Sequence, residues 1–400
     1  MATDCEITWQ KAAFFVDVVG TDLNLPHDAF CIVDLQTSEA AAKPAGFMSL
    51  IHRVKLRIRL TGGEERTLSY VVKEKSDQVF GGEVVDVMQV FPKEIEVYEK
   101  FIPAFEELWR RDGVKFGPRV FKTTTSPFTV IVMEDLRKDN FTVKESHEGL
   151  SLKDCERTIQ KLAQFHAASV VFFEQNEFHA DEFMKGMFSD SFIDIFEPFF
   201  APLLNSYLHA LEELQYPTDI LEAIRRYKGK IYSAVSKLYH SDACKFKVLN
   251  HGDPWVNNIQ LNDEDVRLVD YQIAFYGSPS FDLLYFITTS ASNEIRTSKF
   301  DHLIECYHHN LVEGLQRLSS KSTAPTLQEL HEDIRAHGLL MCALSMEGAM
   351  MALVPDKNLE LMCDGTSAGK AYRRKSYAEP RVVAMLEQLV PFMRDRGFLK

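Results

Sequence analysis

The sequence predicts an α+β protein with two lobes: a small N-terminal lobe built on an antiparallel sheet and a large, mainly helical C-terminal lobe. Three observations predict this class. Two strand-like segments flank a glycine turn near the N-terminus, long stretches in the second half show helical spacing, and short apolar segments enclose a polar loop beyond the middle of the chain. We place the boundary so that residues 1–136 form the N-terminal lobe and residues 137–400 form the C-terminal lobe.

The composition is that of an ordinary globular protein, with 46% hydrophobic and 26% charged residues. The formal net charge of −13 at pH 7 disfavours general attraction to nucleic acid or to anionic membrane surfaces. The 7 cysteines are an odd number and include no Cys-x-x-Cys pair. That pattern fits a reducing compartment better than a disulfide framework or a zinc site.

The first residues lack the basic start and the apolar core of a secretory signal, so a cytoplasmic location is predicted. The most apolar stretch, residues 338–354, carries Glu347 near its middle and is short for a bilayer span. We therefore expect a buried helix there and no membrane insertion.

An antiparallel hairpin is predicted in the N-terminal lobe. Residues 53–60 alternate basic and apolar side chains, which indicates a strand with one face in water. Residues 61–66 supply a turn with two glycines, and residues 67–75 return as a second strand. Because side chains alternate along a strand, Val71 and Lys73 are expected on the same face.

A helix is predicted at residues 91–101, where apolar residues recur at helical spacing. Glu94 lies beside the apolar stripe, and we prefer it over Glu96 as the carboxylate that holds the Lys73 ammonium in place. The alternative for both residues is an ordinary surface role, with Lys73 an exposed strand lysine and Glu94 a solvated glutamate.

Apolar runs predict the remaining elements. Residues 7–40 mix helical and loop signals, and we assign them no catalytic or binding role. Residues 128–136 are almost all apolar before Glu134 and Asp135, which predicts a buried strand that ends there. Residues 190–240 are expected to be largely helical and contain an aromatic cluster of Phe192, Phe196, Phe199 and Phe200. Core packing is the default interpretation of this cluster, and the walls of a pocket for a bulky apolar ligand are the alternative.

The most informative stretch follows a short apolar run at Val248 and Leu249. A polar loop, residues 251–258, is succeeded by two short apolar segments, residues 259–261 and 266–269, with turn-forming residues between them. These two segments are predicted to pair as an antiparallel hairpin.

The open end of this hairpin should bring Asn258 close to Asp270, with Asp253 in the loop just before it. Two carboxylates and an amide oxygen would then converge. Magnesium takes oxygen ligands and needs only one or two protein carboxylates when phosphates supply the rest. Asn258 and Asp270 are therefore the candidate metal ligands, and Asp253 is left to orient an incoming hydroxyl.

His-x-Asp-x-x-x-x-Asn followed by an aspartate after an apolar strand is the layout of a kinase catalytic loop and its metal-binding aspartate. Here Gly252 replaces the arginine of protein kinases, and Tyr271-Gln272 replaces their Phe-Gly. These departures argue against a protein kinase switched by loop phosphorylation, and they leave phosphoryl transfer intact.

Three segments resemble the ecdysteroid-kinase-like family, in the choline-kinase and aminoglycoside-phosphotransferase branch of the protein-kinase-like fold. They read Asn250-His-Gly-Asp-Pro-Trp-Val-Asn-Asn258, Val269-Asp-Tyr-Gln-Ile273 and Tyr276-Gly-Ser-Pro-Ser-Phe-Asp-Leu-Leu-Tyr-Phe286. The likeness extends over roughly residues 15–395. It implies the bilobed protein-kinase-like fold, with ATP and Mg²⁺ as cofactors.

The resemblance also implies roles for residues of the N-terminal lobe. Phosphates are expected under the turn at Gly46, where Phe47 and Met48 replace the polar residues usual in the family. The backbone amides of that turn and the Ser49 hydroxyl remain as donors.

In the same way, the resemblance places Val71 over the base and Lys73 toward the phosphates, and the family's Glu-Ile pattern selects Glu94. Backbone groups from Glu134 to Leu136 are expected to bind the adenine edge.

The family implies an acceptor with a steroid hydroxyl, such as an ecdysteroid, or a related alcohol that includes foreign compounds. A kinase for a charged small alcohol, such as choline or an aminoglycoside, is the rival within the same fold. A catalytically inactive protein that binds a steroid or a nucleotide is the rival from another class, and the presence of Lys73, Asp253, Asn258 and Asp270 counts against it.

Overall fold

The computed structural model of the protein describes residues 8–39, 49–76, 86–177, 183, 185–239, 245–355 and 357–400. These residues form two compact units. The first unit comprises the described residues up to Lys100 together with Gly117–Thr142, and the second comprises Phe101–Phe116 and the described residues from Val143 to Lys400.

The first unit is built on a five-stranded antiparallel sheet with the strand order β1-β2-β3-β5-β4. Its strands are β1 (Phe30–Glu39), β2 (Leu50–Leu60), β3 (Glu65–Glu74), β4 (Val120–Thr124) and β5 (Val130–Glu134). The predicted hairpin is present as β2 and β3, with Leu56 opposite Leu68.

Strand β1 has no counterpart in the sequence analysis, which left residues 7–40 without an assigned structure. β1 pairs with β2 from Phe30 opposite Leu60 to Glu39 opposite His52, and its register shifts between Ile32 and Asp34. A bulge of this kind breaks the alternation of side chains on which strand recognition depends. The sequence analysis therefore did not recognise this strand.

One face of this sheet is covered by the helix α1 (Val16–Leu23) and carries the apolar core of the unit. Tyr70 and Val72 of β3 belong to that core. Since neighbouring strand residues point to opposite faces, Val71 and Lys73 lie on the other face, as the alternation predicted.

The predicted helix at residues 91–101 is present in two forms. An α-helix, α2 (Val90–Glu96), continues as a π-helical stretch, Val97–Phe101. A widened turn of this kind shifts the helical positions that follow it, so the stripe expected from a uniform helix is interrupted.

The second unit is mainly helical. Its helices are α3 (Ile102–Leu108), α4 (Leu152–Gln175), α5 (Ile193–Glu213), α6 (Thr218–Arg225), α7 (Ile231–Tyr239), α8 (Ser280–Ser290), α9 (Asn293–Ser298), α10 (Phe300–Arg317), α11 (Leu327–Ala336), α12 (Leu339–Leu353), α13 (Leu359–Cys363), α14 (Ser367–Tyr377) and α15 (Pro380–Asp395). The predicted α+β class, with a small antiparallel-sheet unit and a large, mainly helical one, is confirmed.

Short strands complete the second unit. β6 (Thr142–Val143) lies where the chain passes from the first unit to the second. The strands that follow are β7 (Val248–Asn250), β8 (Ile259–Leu261), β9 (Val266–Leu268) and β10 (Phe275–Gly277). β8 and β9 are the predicted antiparallel hairpin, and β7 pairs with β10. The hairpin and the end of β7 position the polar loop between them.

The aromatic cluster of α5 is core packing. Phe192, Phe196 and Phe200 are buried, and Phe196 and Phe200 lie 5.4 and 5.7 Å from the Tyr232 ring of α7. These rings therefore fill the space between α5 and α7, and the default interpretation holds for them.

No single described helix is long and apolar enough to cross a membrane. One bent pair, α11 and α12, passes a test of length and composition when its two helices are taken together.

Candidate functional site

The polar loop after β7 is fixed by one buried carboxylate. Asp282 of α8 accepts hydrogen bonds from the backbone N–H groups of His251 (2.7 Å) and Gly252 (2.9 Å), and its carboxylate lies 3.1 Å from His166 Nε2. Asp282 and His166 are fully buried. A buried carboxylate with this many donors is satisfied in one geometry, so the start of the loop is held rigidly.

Gly252 is the residue that the loop geometry requires. Its φ is 87°, and a Cβ added there would lie 2.2 Å from the carbonyl oxygen of Ile273. No side chain fits at such a distance, and the left-handed φ favours glycine independently. This explains why glycine occupies the position that is arginine in protein kinases.

The side chain of Asp253 is held by neighbours on both sides. Asn258 Nδ2 donates to the carbonyl oxygen and to Oδ2 of Asp253, both at 3.0 Å, and the Tyr285 hydroxyl donates to the same carboxylate. Burial raises the pKa of Asp253 well above its ordinary value, and the negative charges of Asp270 and Glu347 add to the rise. The bonds from Tyr285 and Asn258 oppose that rise because they favour the carboxylate.

The hairpin brings Asp270 next to this group. Ile259 lies opposite Leu268, and the pairing continues with a hydrogen bond from Val269 N–H to the carbonyl oxygen of Asn258 at 3.0 Å. Asp270 follows at once with φ of 70°, a left-handed conformation that is uncommon for a residue other than glycine. Strained backbone of this kind clusters at functional sites, where the surrounding structure holds it.

Asp253, Asn258 and Asp270 are therefore gathered at one place in the second unit. Burial lowers the pKa of His251, and the negative charges of Asp282 and Asp270 oppose that shift. The charge of Asp270 therefore acts on both His251 and Asp253. His251 Nε2 lies 3.0 Å from the carbonyl oxygen of Val269, which ties the loop to the hairpin.

The donor set at this place fits magnesium delivered with phosphate. Asn258 turns its amide nitrogen to Asp253, so its Oδ1 is the atom left for a cation, and Asp270 follows the residue that pairs with the Asn258 backbone. In the part of the chain that the structure describes, no group of three or more His, Cys, Asp or Glu residues could hold a metal. A single carboxylate with an amide oxygen is a sparse set, and Mg²⁺ uses sparse sets when phosphates and waters complete its shell.

The first unit contains the ion pair between Lys73 and Glu94. Lys73 Nζ lies 2.5 Å from Glu94 Oε2, and the two side chains are 3% and 0% exposed. Glu96, the alternative partner, instead lies 3.3 Å from Lys100 Nζ. Lys73 is thus a buried, paired lysine, which excludes the exposed strand lysine of the alternative interpretation.

The other nucleotide-binding residues predicted in the first unit are placed as follows. Gly46 lies outside the described residues. Ser49, just before β2, is buried, and half-buried Val71 shares the sheet face of Lys73 and lies opposite Arg53 of β2.

Glu134 ends β5, and its backbone N–H donates to the carbonyl oxygen of Arg119 at 2.8 Å, within the sheet. Its carboxylate accepts a hydrogen bond from the N–H of Arg119 and pairs with Lys138 at 2.8 Å. Leu136 is buried and begins a 3₁₀ turn, Leu136–Asp139. Among the backbone groups from Glu134 to Leu136 that were expected at the adenine edge, the N–H of Glu134 is therefore already engaged.

Asp135, between these two residues, carries contacts that sequence reasoning missed. Its carboxylate accepts from Arg53 Nε at 2.7 Å and from the Ser69 hydroxyl at 2.6 Å. Burial would raise the pKa of Asp135, but these bonds, the Arg53 charge and the Arg137 N–H lower it overall. Strands β2 and β3 therefore hold the segment after β5 through one carboxylate.

The ecdysteroid kinase-like family matches residues 43–320, more than half of the chain. The chain belongs to this family. The match includes β2, β3, β5, the polar loop, the β8–β9 hairpin and α8.

Among curated proteins, the chain is similar to a methylthioribose kinase of Geobacillus kaustophilus (strain HTA426), at 24% identity over 245 residues. That match takes in 56% of this chain and 59% of the relative, so the chain spans about three fifths of its length.

Two solved structures are similar over most of their length. A choline kinase from Cryptosporidium parvum Iowa II has a TM-score of 0.48 at 10% identity and covers 97% of this chain and 98% of its own. An amicoumacin kinase in complex with AMP-PNP, Ca²⁺ and Ami has a TM-score of 0.43 at 9% identity, covering 87% and 89%. At this level of similarity, the substrates of the two neighbours are not evidence for the substrate of this protein.

Two further residues of the ecdysteroid kinase-like chain influence Asp253 and were not selected from the sequence. Tyr285 stands inside a segment that carries the family resemblance, but it was given no role there. Glu347 was noted only as a charge that argues against a membrane span. A lone charge in an apolar helix was the signal that could have found it, because such a charge is costly to bury without a purpose.

Proposed function

We propose that this protein is a kinase that transfers the γ-phosphoryl group of ATP, with Mg²⁺, to a hydroxyl group of a small molecule. The gathering of Asp253, Asn258 and Asp270 in a loop that Asp282 holds rigid is the observation that carries the proposal. Phosphoryl transfer depends on alignment and on charge neutralisation rather than on covalent chemistry by the protein, so a rigid set of oxygen ligands suits it.

Each proposed residue has one task. Asp253 accepts a hydrogen bond from the acceptor hydroxyl and directs its oxygen at the γ-phosphorus. As the new O–P bond forms, the bond from the γ-phosphorus to the β–γ bridging oxygen breaks, ADP leaves with that electron pair, and the hydroxyl proton passes to Asp253 late. Asn258 Oδ1 and Asp270 would hold magnesium, which neutralises the charge of the phosphates when it is bound.

Lys73, held by Glu94, is proposed to contact the ATP phosphates. The backbone turn at Gly46 with Ser49, the side chain of Val71, and the backbone from Glu134 to Leu136 are proposed to bind the rest of the nucleotide. The engaged N–H of Glu134 leaves the N–H of Leu136 as the proposed donor to the adenine edge.

For the acceptor we propose an ecdysteroid-like steroid or a related alcohol, which includes foreign compounds. Family membership supports this choice. The buried α5 rings belong to the core and give no support to a steroid pocket at that place.

A charged small alcohol is the second candidate. The observation that favours it is the presence of a second carboxylate, Glu347, close enough to Asp253 to raise its pKa. Negatively charged pockets attract cationic ligands.

Two measurements test the proposal in sequence. A thermal-shift titration with ATP and Mg²⁺ should raise the melting temperature, because a ligand that binds only the folded state stabilises it. Incubation with ATP, Mg²⁺ and a panel of ecdysteroids, other steroids, choline and aminoglycosides should then give one product with the mass of one added phosphate. ATP binding without any phosphorylated product would favour the inactive nucleotide-binding protein, and no ATP binding would refute the kinase.

A further inference from the structure

Glu347 is the single charged residue of α12, whose sequence is otherwise apolar or small from Leu339 to Leu353. Its side chain is half-buried and has no hydrogen-bond or ion-pair partner among the described residues. Ionised side chains in apolar surroundings are normally paired, because the loss of hydration without a partner is unfavourable. Glu347 has no such structural task.

The neighbours of Glu347 in α12 contact two other helices. The carbonyl oxygen of Met346 accepts a hydrogen bond from the Tyr377 hydroxyl of α14 at 2.9 Å. A Cβ on Gly348 would lie 2.8 Å from Thr289 Cγ2 of α8, so the two helices touch there. Glu347 stands between these two contacts.

The same part of α8 faces the proposed phosphoryl-transfer loop. Thr289 Oγ1 bonds to the carbonyl oxygen of Tyr285 at 2.8 Å, and the Tyr285 hydroxyl donates to Asp253. One residue further, Ser290 Oγ donates to the carbonyl oxygen of Pro254 at 3.2 Å. The helix contact at Gly348 is therefore one turn from the tyrosine that holds Asp253.

The charge of Glu347 reaches this group. It raises the pKa of Asp253 and of Tyr285, and burial raises the pKa of Glu347 itself to about 7. Among the described residues, no cationic side chain influences the pKa of Glu347. Glu347 influences Asp253, is half-buried and has no partner in the part of the chain that the structure describes, so its carboxylate can receive a donor from outside the chain.

We propose that Glu347 binds a second hydrogen-bond donor of the acceptor, a hydroxyl or an ammonium group that lies next to the hydroxyl oriented by Asp253. The proposal rests on the proposed function and deepens it, since it names the class of acceptor: 1,2-diols and 1,2-amino alcohols rather than isolated alcohols. Glu347 is a specificity-determining residue, and Asp253 serves the hydroxyl that reacts. A hydrogen bond to a charged group contributes roughly tenfold or more to affinity.

Three probes with one carbon skeleton test this: trans-cyclohexane-1,2-diol, trans-2-aminocyclohexanol and cyclohexanol. For each probe, binding to the enzyme with ADP and Mg²⁺ is measured by calorimetry, and kcat/KM with ATP is measured by mass gain. The wild-type protein should prefer one of the two donor-bearing probes over cyclohexanol by about tenfold or more. Which of the two is preferred separates a neutral acceptor from a cationic one.

The variant Glu347→Leu should reduce that preference to within about twofold, with the KM for ATP unchanged. It should also raise the melting temperature, because an apolar side chain replaces an unpaired carboxylate in an apolar helix. If Glu347 had only a structural role, Glu347→Leu would lower the melting temperature and leave the preference for the donor-bearing probes unchanged. Glu347→Gln keeps an acceptor oxygen, so it should retain part of the preference for the diol and lose that for the amino alcohol.

Glu360→Gln, at an exposed position of α13, is the matched control and should behave as the wild type. An equal preference in the wild type and in Glu347→Leu overturns the inference, as does wild-type binding that ignores the second donor or is absent for all three probes. Binding with the expected preference but without transfer would sustain the role of Glu347 and refute the kinase, so the two failures are distinguishable.

Discussion

Lys73 and Lys161 are both buried, at 2% and 5% exposure, but they are held in different ways. Lys73 lies on a strand and pairs with the carboxylate of Glu94. Lys161 lies on α4, donates to the carbonyl oxygen of Lys115 at 2.7 Å and pairs with Asp265 at 2.9 Å. Its contacts join α4 to the turn of the β8–β9 hairpin.

Burial and the charge of Arg267 lower the pKa of Lys161 to about 7, and the charge of Glu106 opposes that shift. The comparison teaches that a buried lysine is not by itself a sign of function. The partners distinguish the two: Lys161 joins α4 to the hairpin turn within the helical unit, whereas the Lys73–Glu94 pair joins β3 to α2 on the sheet face opposite the apolar core.

The largest expected effect lies at the hairpin that Lys161 supports. Asp270→Asn should lower turnover by about 10³-fold or more, because it removes the only carboxylate of the proposed magnesium set. The variant should remain folded by circular dichroism. Asp263→Asn, in the exposed hairpin turn, is the control and should keep wild-type turnover. Wild-type ATP consumption by Asp270→Asn with a confirmed acceptor would refute the metal assignment.

Replacing Lys73 tests the functional side of the comparison. Lys73→Ala should lower kcat/KM for ATP by about 10²-fold, because the ammonium would no longer stabilise the phosphate charge in the transition state. Lys75→Ala is the matched control, since Lys75 directly follows the last residue of the same strand and pairs with the exposed Asp86 at 2.5 Å. Equal losses in the two variants would show that Lys73 is not the residue that contacts the phosphates.

Replacing Lys161 tests the structural side. Lys161→Met keeps most of the side-chain volume but leaves the Lys115 carbonyl and Asp265 without their donor. We expect a loss of about 1–3 kcal/mol in the free energy of unfolding, measured in urea, and kcat/KM for ATP close to the wild type. A drop in kcat/KM comparable with that of Lys73→Ala would show that Lys161 also acts in the site. It would contradict the distinction between a functional Lys73 and a structural Lys161.

The smallest effect concerns a third internal ion pair, between His337 and Asp333. His337 lies with Nδ1 2.8 Å from the carbonyl oxygen of Asp333 and with Nε2 3.2 Å from that of Leu238, so both ring nitrogens face acceptors. Burial opposes the charged ring, but the bonds and the charge of Asp333 outweigh it and raise the pKa of His337. The pKa of Asp333 is lowered, because the bonds from His337, Ser278 and Ser280 outweigh its burial.

A raised histidine pKa stabilises the fold fully below the unfolded value of about 6.5, and the contribution is lost as the pH rises through the folded pKa. Wild-type protein should therefore exceed His337→Gln in the free energy of unfolding by about 1 kcal/mol more at pH 6 than at pH 9. Urea titrations at the two pH values give this difference, with His309→Gln, on exposed α10 surface, as control. A difference that is constant with pH would mean that His337 is neutral in the folded protein.

The sequence analysis predicted local features better than the contacts between distant segments. The β2–β3 alternation and the β8–β9 turn are properties of adjacent residues, so both hairpins were predicted. Strand β1 was missed because its bulge interrupts the alternation. Arg53 was interpreted as one of several residues on a wet face, although its guanidinium binds Asp135, 82 positions away.

The candidate site shows the same division. Asp253, Asn258 and Asp270 fall within one short stretch, so their proximity followed from one hairpin. Glu347 reaches them only through the packing of α12 on α8, which no local pattern encodes. The roles of all four residues stay predictions until the variants are measured.

The close approach of Gly252 to Ile273 has a consequence for how this loop can change over evolution. A single codon change to arginine would drive a side chain into the opposing main chain, so it would be removed by selection before any benefit could arise. Loops of this type and those of the arginine-bearing enzymes are therefore separated by a backbone rearrangement, and no path of tolerated single substitutions at this position joins them.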